Sequence, residues 1–163
     1  MLNPTDSRRT FLKTAALGAA GITLSSSAAS YAKILGANDR VRVGIVGFSD
    51  RFRQTLLFAL MAHAKELNFE PVAVSDIWSR RRDEAVALVQ NRFGLKIAAV
   101  RNNEELYARK DVDAVIVATA DFQHAMHGVE AVKAGRDAYV EKPMAHTMED
   151  ARAVRKAVEE TGK

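Results

Sequence analysis

Val41-Arg42-Val43-Gly44-Ile45-Val46-Gly47 decides how the chain is read. It is a compact β-branched run that stops at a glycine, which predicts a buried strand. Working outward, Gly47-Phe48-Ser49-Asp50 turns into a helical segment over residues 51–64. Phe52, Leu56 and Leu60 share one face, and Leu57, Phe58 and Met61 spread the apolar surface nearly all round. That helix is therefore expected to be largely covered. Residues 71–76 predict a second strand, after which Ser79 is the expected cap of a helix with Ala85, Leu88 and Val89 inward and Phe93-Gly94 as its stop. Residues 96–100 predict a short third strand, 103–109 a short helix, and 112–118 the most apolar strand. A helix follows over 121–134, closed by Gly135, then a fifth strand over 138–140. Thr147, with Asp150 three residues on, opens a last helix.

Strands alternating with helices over short connections, with continuous apolar strands, predict α/β architecture: a parallel sheet covered on both faces. Right-handed crossovers make it doubly wound. Such sheets take ligands at the carboxyl ends of their strands. Here those ends are Gly47, Asp76, Ala118-Thr119-Ala120 and Glu141-Lys142-Pro143.

The chain has 163 residues, 48% hydrophobic and 27% charged. That suffices for one domain with a real core. It has no cysteine, which excludes disulfides, Cys-ligated zinc, iron–sulfur clusters and thiol catalysis. No metal site is expected. Of the net charge of +4, half lies in residues 1–32, where Arg8, Arg9 and Lys13 face Asp6. A nearly balanced remainder, without basic clusters interleaved with aromatics, argues against nucleic acid as a partner.

Ser7-Arg8-Arg9-Thr10-Phe11-Leu12-Lys13, a mild apolar run to Leu24 and a small-residue stretch to Ala32 have the order of a secretory signal. The paired arginines resemble the bacterial twin-arginine consensus. The expectation is a signal peptide over 1–32, cleaved after Ala32 or Ala29, a linker over 33–39 and a domain over 40–163. The protein would be periplasmic or otherwise exported, meeting the membrane only through that signal.

The turn after the first strand is where a dinucleotide fingerprint G-x-G-x-x-G would sit. Gly47 holds the first glycine position, Ser49 replaces the second and Phe52 the third. A plain strand-to-helix turn remains an alternative. Asp50 puts negative charge near a would-be phosphate, and Arg51 and Arg53 are placed to offset it. Asp76 can accept hydrogen bonds from an adenosine ribose, which favours NAD, while Arg80-Arg81-Arg82 could pair with the 2′-phosphate of NADP; the alternative is that Ser79 and Asp76 serve the turn and the arginines are solvated. His124 falls in the first turn of a helix at the ligand edge; His63, His127 and His146 are read as structural. Lys142 can donate to a ligand hydroxyl or carbonyl.

Taken together, Val112-Asp113-Ala114-Val115-Ile116-Val117-Ala118-Thr119, Asp121, His124, Lys133-Ala134-Gly135 and Val140-Glu141-Lys142-Pro143 resemble the Gfo/Idh/MocA oxidoreductases over residues 39–163. The resemblance implies a Rossmann domain that binds NAD or NADP and moves hydride to or from a sugar, inositol or related polyol. It implies a pyrophosphate turn from Gly47 through Phe48 and Ser49 to Arg51, a ribose contact at Asp76 with Arg81 nearby, and cofactor contacts at Thr119, Ala120 and His124. It places Glu141 on the nicotinamide side and Lys142, the catalytic candidate, beside the substrate. Ala120 stands where the family usually has proline. The family's second α/β domain, with most of the substrate pocket, is expected to be lacking, so the chain reads as a fragment, a truncated product or one piece of a split member. Whether the chain is itself an enzyme therefore stays open, as do its substrate and oligomeric state. The alternatives are an NAD-dependent glycoside hydrolase of the same family and a non-catalytic binding module.

Overall fold

The computed structural model describes residues 40–163, which form one compact unit. The twin-arginine stretch, the cleavage site and the linker lie outside the described residues. The strands are β1 (Val41–Val46), β2 (Phe69–Ser75), β3 (Ala98–Val100), β4 (Ala114–Val117) and β5 (Asp137–Val140). They make one sheet in the order β3-β2-β1-β4-β5, with every pairing parallel. The order reverses at β1, so the carboxyl ends of β1 and β4 diverge around a crevice.

A π-helical turn, Phe52–Leu56, runs straight into α1 (Leu57–His63). The later helices are α2 (Ser79–Phe93), α3 (Asn103–Tyr107), α4 (His124–Lys133) and α5 (Met148–Thr161). Along each strand successive side chains serve opposite faces. Val43, Ile45, Val74 and Ile116 pack with Phe48, Phe52, Leu57, Ala85 and Val89. Val46, Ala73, Val115 and Val117 pack with Leu106, Tyr107, Val112 and Ala131. Two covered faces explain why these strands read as apolar throughout rather than alternating.

Four details depart from the sequence expectation. β2 begins at Phe69, because Val41 pairs with Phe69 and Pro71 is accommodated beside a register shift between Val43 and Gly44. The helical segment over residues 51–64 is not largely covered: Phe52 and Leu57 are buried, but Phe58 is 41% exposed and packs its ring 5.8 Å from Phe93 instead of entering the core. Ser79 does not cap α2. The flanking residue is Trp78, whose N–H donates to Asp76 Oδ1 at 2.9 Å, so the aspartate satisfies the helix entrance. The segment after β4 opens as a 3-10 turn, Asp121–Gln123, before α4. By contrast, Thr147 caps α5 as expected, accepting from the Asp150 N–H at 3.1 Å.

Candidate dinucleotide site

Gly47 has φ +84°, and its N–H donates to the Ser75 carbonyl at 2.8 Å. A Cβ at this position would lie 2.6 Å from Thr119 Cγ2 and 2.9 Å from Thr119 Cα. Both the conformation and the close approach of the two turns therefore require glycine. Phe48 is fully buried, and its N–H donates to Asp76 Oδ2 at 2.9 Å. Asp76 thus braces the turn with one carboxylate oxygen and the entrance of α2 with the other.

The missing glycines are accommodated locally. Ser49, in the second position, turns its hydroxyl back to accept from the Phe52 N–H at 3.3 Å. Phe52, in the third, is buried with its ring 5.8 Å from that of Phe48. A bulky side chain there keeps the helix from packing close to the sheet. The helix widens at this point: the Leu57 N–H bonds to the Phe52 carbonyl, an i→i+5 closure. Ahead of the π turn, the N–H groups of Ser49, Asp50 and Arg51 meet no backbone acceptor among the described residues. Such open donors at a helix start suit an anion.

Two clefts flank this turn. The larger, about 560 Å³, is lined by Gly47, Phe48 and Ser49, by Ser75 through Trp78, by Arg81, by Asn102 through Glu104, and by Thr119, Ala120, Gln123, His127 and Glu130. The smaller, about 350 Å³, is lined by Ser49, Asp50, Arg51, Ala118, Thr119, Asp121, His124, Glu141, Lys142 and Pro143. Ser49 and Thr119 border both. The structure therefore brings all the sequence-derived site residues to one edge of the sheet, divided between the two clefts.

In the larger cleft, Ser75 Oγ donates to Asn103 Oδ1 at 2.7 Å, and His127 Nδ1 lies 2.9 Å from both Asn103 Nδ2 and Glu130 Oε2. Asn103, Gln123 and Glu130 were not among the expected site residues, and His127, expected to be structural, lines the cleft with them. Signals for them existed. Asn102-Asn103 follows the carboxyl end of β3, and Gln123, His127 and Glu130 fall on one helical face by spacing. Arg81 Nη2 lies 2.6 Å from Asp50 Oδ1, and Arg81 Nη1 lies 2.9 Å from Glu84 Oε2. Asp50 is thus offset by Arg81 and by Arg53, whose Nε is 2.8 Å away, and not by Arg51. The Arg53 hydrogen bond, outweighing slight desolvation, holds the Asp50 carboxyl below its ordinary value.

In the smaller cleft, Arg51 Nε lies 3.1 Å from Glu141 Oε1, and Glu141 is 6% exposed. Burial pushes the Glu141 carboxyl up, but the Arg51 hydrogen bond, the Lys142 backbone N–H and the neighbouring positive charges bring it below its ordinary value. Glu141 therefore stays ionised and holds Arg51 across the cleft. His124 is 2% exposed, with Nδ1 2.9 Å from the Pro143 carbonyl oxygen and Nε2 3.2 Å from that of Thr119. The ring therefore lies between a carbonyl of the β4 turn and one of the β5 turn, and a neutral imidazole donates to one of the two, at the residue where the resemblance implied a cofactor contact. Lys142 is exposed at the cleft wall. Ala120 has φ −68°, the angle a proline ring imposes, so its departure from the family pattern leaves the backbone unaltered.

These positions meet what a dinucleotide needs: a tight glycine turn, open N–H donors and a carboxylate after β2. Comparison with known proteins agrees. A glycosyl hydrolase family 109 protein from Shewanella pealeana is 30% identical over 179 aligned positions, covering 96% of this chain and 38% of the relative. A WlbA dehydrogenase from Chromobacterium violaceum, solved with NADH and UDP-GlcNAcA, superposes with a TM-score of 0.66 at 28% identity over 76% of this chain and 33% of that one. KijD10, a 3-ketoreductase from Actinomadura kijaniata solved with NADP and TDP-benzene, gives 0.64 at 29% over 76% and 35%. The chain spans 30% to 38% of the length of the first curated relatives it matches. A family model for oxidoreductases with an NAD-binding Rossmann fold covers residues 41–163, and the chain belongs to that family, Gfo/Idh/MocA.

Proposed function

We propose that this chain is the nicotinamide-dinucleotide-binding part of an exported oxidoreductase that acts on a sugar, inositol or related polyol by hydride transfer. The observation that carries the proposal is the Gly47 turn, closed against Thr119 with a cleft on either side. When bound, the dinucleotide accepts or supplies hydride at its nicotinamide. The Asp76 carboxylate accepts from the adenosine ribose hydroxyls. The open N–H groups of Ser49, Asp50 and Arg51, with the Arg51 guanidinium held by Glu141, take the pyrophosphate. The nicotinamide side falls to the smaller cleft, where the Lys142 ammonium donates to a substrate oxygen and orients the carbon that exchanges hydride.

The UDP-GlcNAcA held by the WlbA neighbour supports the substrate class, and the 3-ketoreductase activity of KijD10 supports the reaction class. A second reading, NAD-dependent glycoside hydrolysis, is favoured by the Shewanella relative, whose alignment takes in nearly the whole of this chain. Oxidised polyol and released aryl alcohol are distinguishable products. Export rests on residues 7–32; replacing Arg8 and Arg9 by lysine should retain the precursor in the cytoplasm, and N-terminal sequencing of the exported form should begin at Lys33 or Ser30.

Calorimetric titration of the purified chain with NAD and NADP tests the central claim. Saturable micromolar binding of a dinucleotide, weakened for NAD by Asp76→Ser, is the expected result. Silence to millimolar ligand would overturn it in favour of a non-catalytic module.

A further inference from the structure

Three arginines follow β2, but only one is placed to meet a 2′-phosphate. Arg80 stands 5.7 Å from the Trp78 ring centroid, and Arg82 Nη1 donates to the Asp76 carbonyl at 2.6 Å. Arg81 lines the larger cleft with Asp76. It is not at liberty there. One terminal nitrogen faces Asp50 and the other Glu84, at 2.6 and 2.9 Å, and the guanidinium stands 5.5 Å from the Trp78 ring centroid. Arg53 closes the circuit, with Nε 2.8 Å from Asp50 Oδ1 and Nη1 2.8 Å from Glu84 Oε1. Two guanidiniums and two carboxylates form a neutral ring that spans from the glycine turn to α2.

We infer that Asp50 sets the choice of dinucleotide by holding Arg81 away from the ribose 2′ position, so that the chain takes NAD and discriminates against NADP. The inference rests on the dinucleotide reading above. The 2′-phosphate of NADP is nearly a dianion at neutral pH. Beside Asp76 it meets a carboxylate, and the one guanidinium of the three that lines the cleft has each terminal nitrogen on a carboxylate already. Pairing with it requires Arg81 to leave Asp50. The uncharged 2′-hydroxyl of NAD asks for nothing but the acceptor that Asp76 presents. Asp50 acts through Arg81, so it is a positioning residue. It comes from the pyrophosphate turn, not from the segment after β2 that carries the ribose contact.

The experiment measures dissociation constants for NAD and NADP in four forms of the full chain. The unsubstituted protein should favour NAD. Asp50→Asn frees Arg81 and adds one positive charge, and NADP affinity should rise about tenfold while NAD changes by less than about threefold. Asp50→Asn combined with Arg81→Ala should lose that gain. Arg81→Ala alone leaves the ring one positive charge short and should lower NADP affinity by about threefold or less, well under the tenfold gain, because Arg81 is already engaged. This last form keeps the inference testable if Asp50→Asn fails to fold. A merely structural role for Asp50 would weaken both ligands together, and that result overturns the inference. So does a large loss of NADP affinity on Arg81→Ala alone, or equal affinity for both ligands at the start. Failure of the unsubstituted protein to bind either ligand overturns the dinucleotide reading itself and this inference with it.

Discussion

On the β2 side of the Gly47 turn, polar groups are tied into circuits: Asp50, Arg53, Arg81 and Glu84 in one, Ser75, Asn103, His127 and Glu130 in the other. On the β5 side, Arg51 reaches across to a single buried carboxylate, and Lys142 stands exposed beside them. The contrast follows from what each side is proposed to do. Binding a nucleoside in one fixed pose needs walls that do not move. Positioning a substrate against nicotinamide needs a group still able to donate. The two sides meet at one backbone turn, so perturbations should separate into those that strike both and those that strike one.

Gly47→Ala strikes both. The left-handed backbone and the 2.6 Å approach to Thr119 together should cost about 3 kcal/mol or more. Urea denaturation should show that loss, and calorimetry should show no dinucleotide binding on either side. Retained binding would mean that the turn is not shared. Asp76→Ala strikes the larger cleft. It leaves the Phe48 and Trp78 N–H groups without their acceptor and removes the proposed ribose contact, at a cost of about 2 kcal/mol in NAD affinity, roughly thirtyfold. AMP binding should weaken by a similar factor while nicotinamide mononucleotide binding falls much less, and equal loss of both would collapse the distinction.

Glu141→Gln strikes the smaller cleft and should lower stability at neutral pH by about 1–2 kcal/mol, since Arg51 loses its charged partner. The sign of its pH dependence is set by the carboxyl lying below its ordinary value of 4.5. Its stabilisation is complete above that ordinary value and disappears as the pH falls through the lowered one. Over that acid window the native protein should lose more stability than the glutamine variant, which denaturant titrations at stepped pH will read. The smallest effect belongs to Ala120→Pro. With φ already −68°, proline should raise the melting temperature slightly, corresponding to about 0.4–1 kcal/mol, through the unfolded chain.

The fold was legible because β1 and β4 carry apolar side chains for two faces at once, a pattern that points to a covered parallel sheet. Gly47, Asp76, Thr119 and Glu141 were legible because topology alone sends strand ends to the ligand edge. Pairing was not. That Arg51 would cross to Glu141, 90 positions away in sequence, and that Asp50 would choose Arg81 over Arg51, depend on side-chain directions that no local pattern encodes. Phe52 misled in a similar way. In a fixed α-helix it would argue against a dinucleotide turn, whereas the chain changes helix type to admit it. Ser79 lost the capping role to Asp76 because a carboxylate two residues before the N–H of Trp78 reaches it directly.

Trp78 is the single tryptophan of the sequence. It sits half exposed on the lip of the larger cleft, with two guanidiniums near its ring. Its fluorescence therefore reports from one known place and needs no deconvolution. Reduced nicotinamide absorbs in the band where indole emits, so a bound reduced dinucleotide should quench this residue by energy transfer and emit in its turn. The protein carries its own optical gauge at the cleft where occupancy matters.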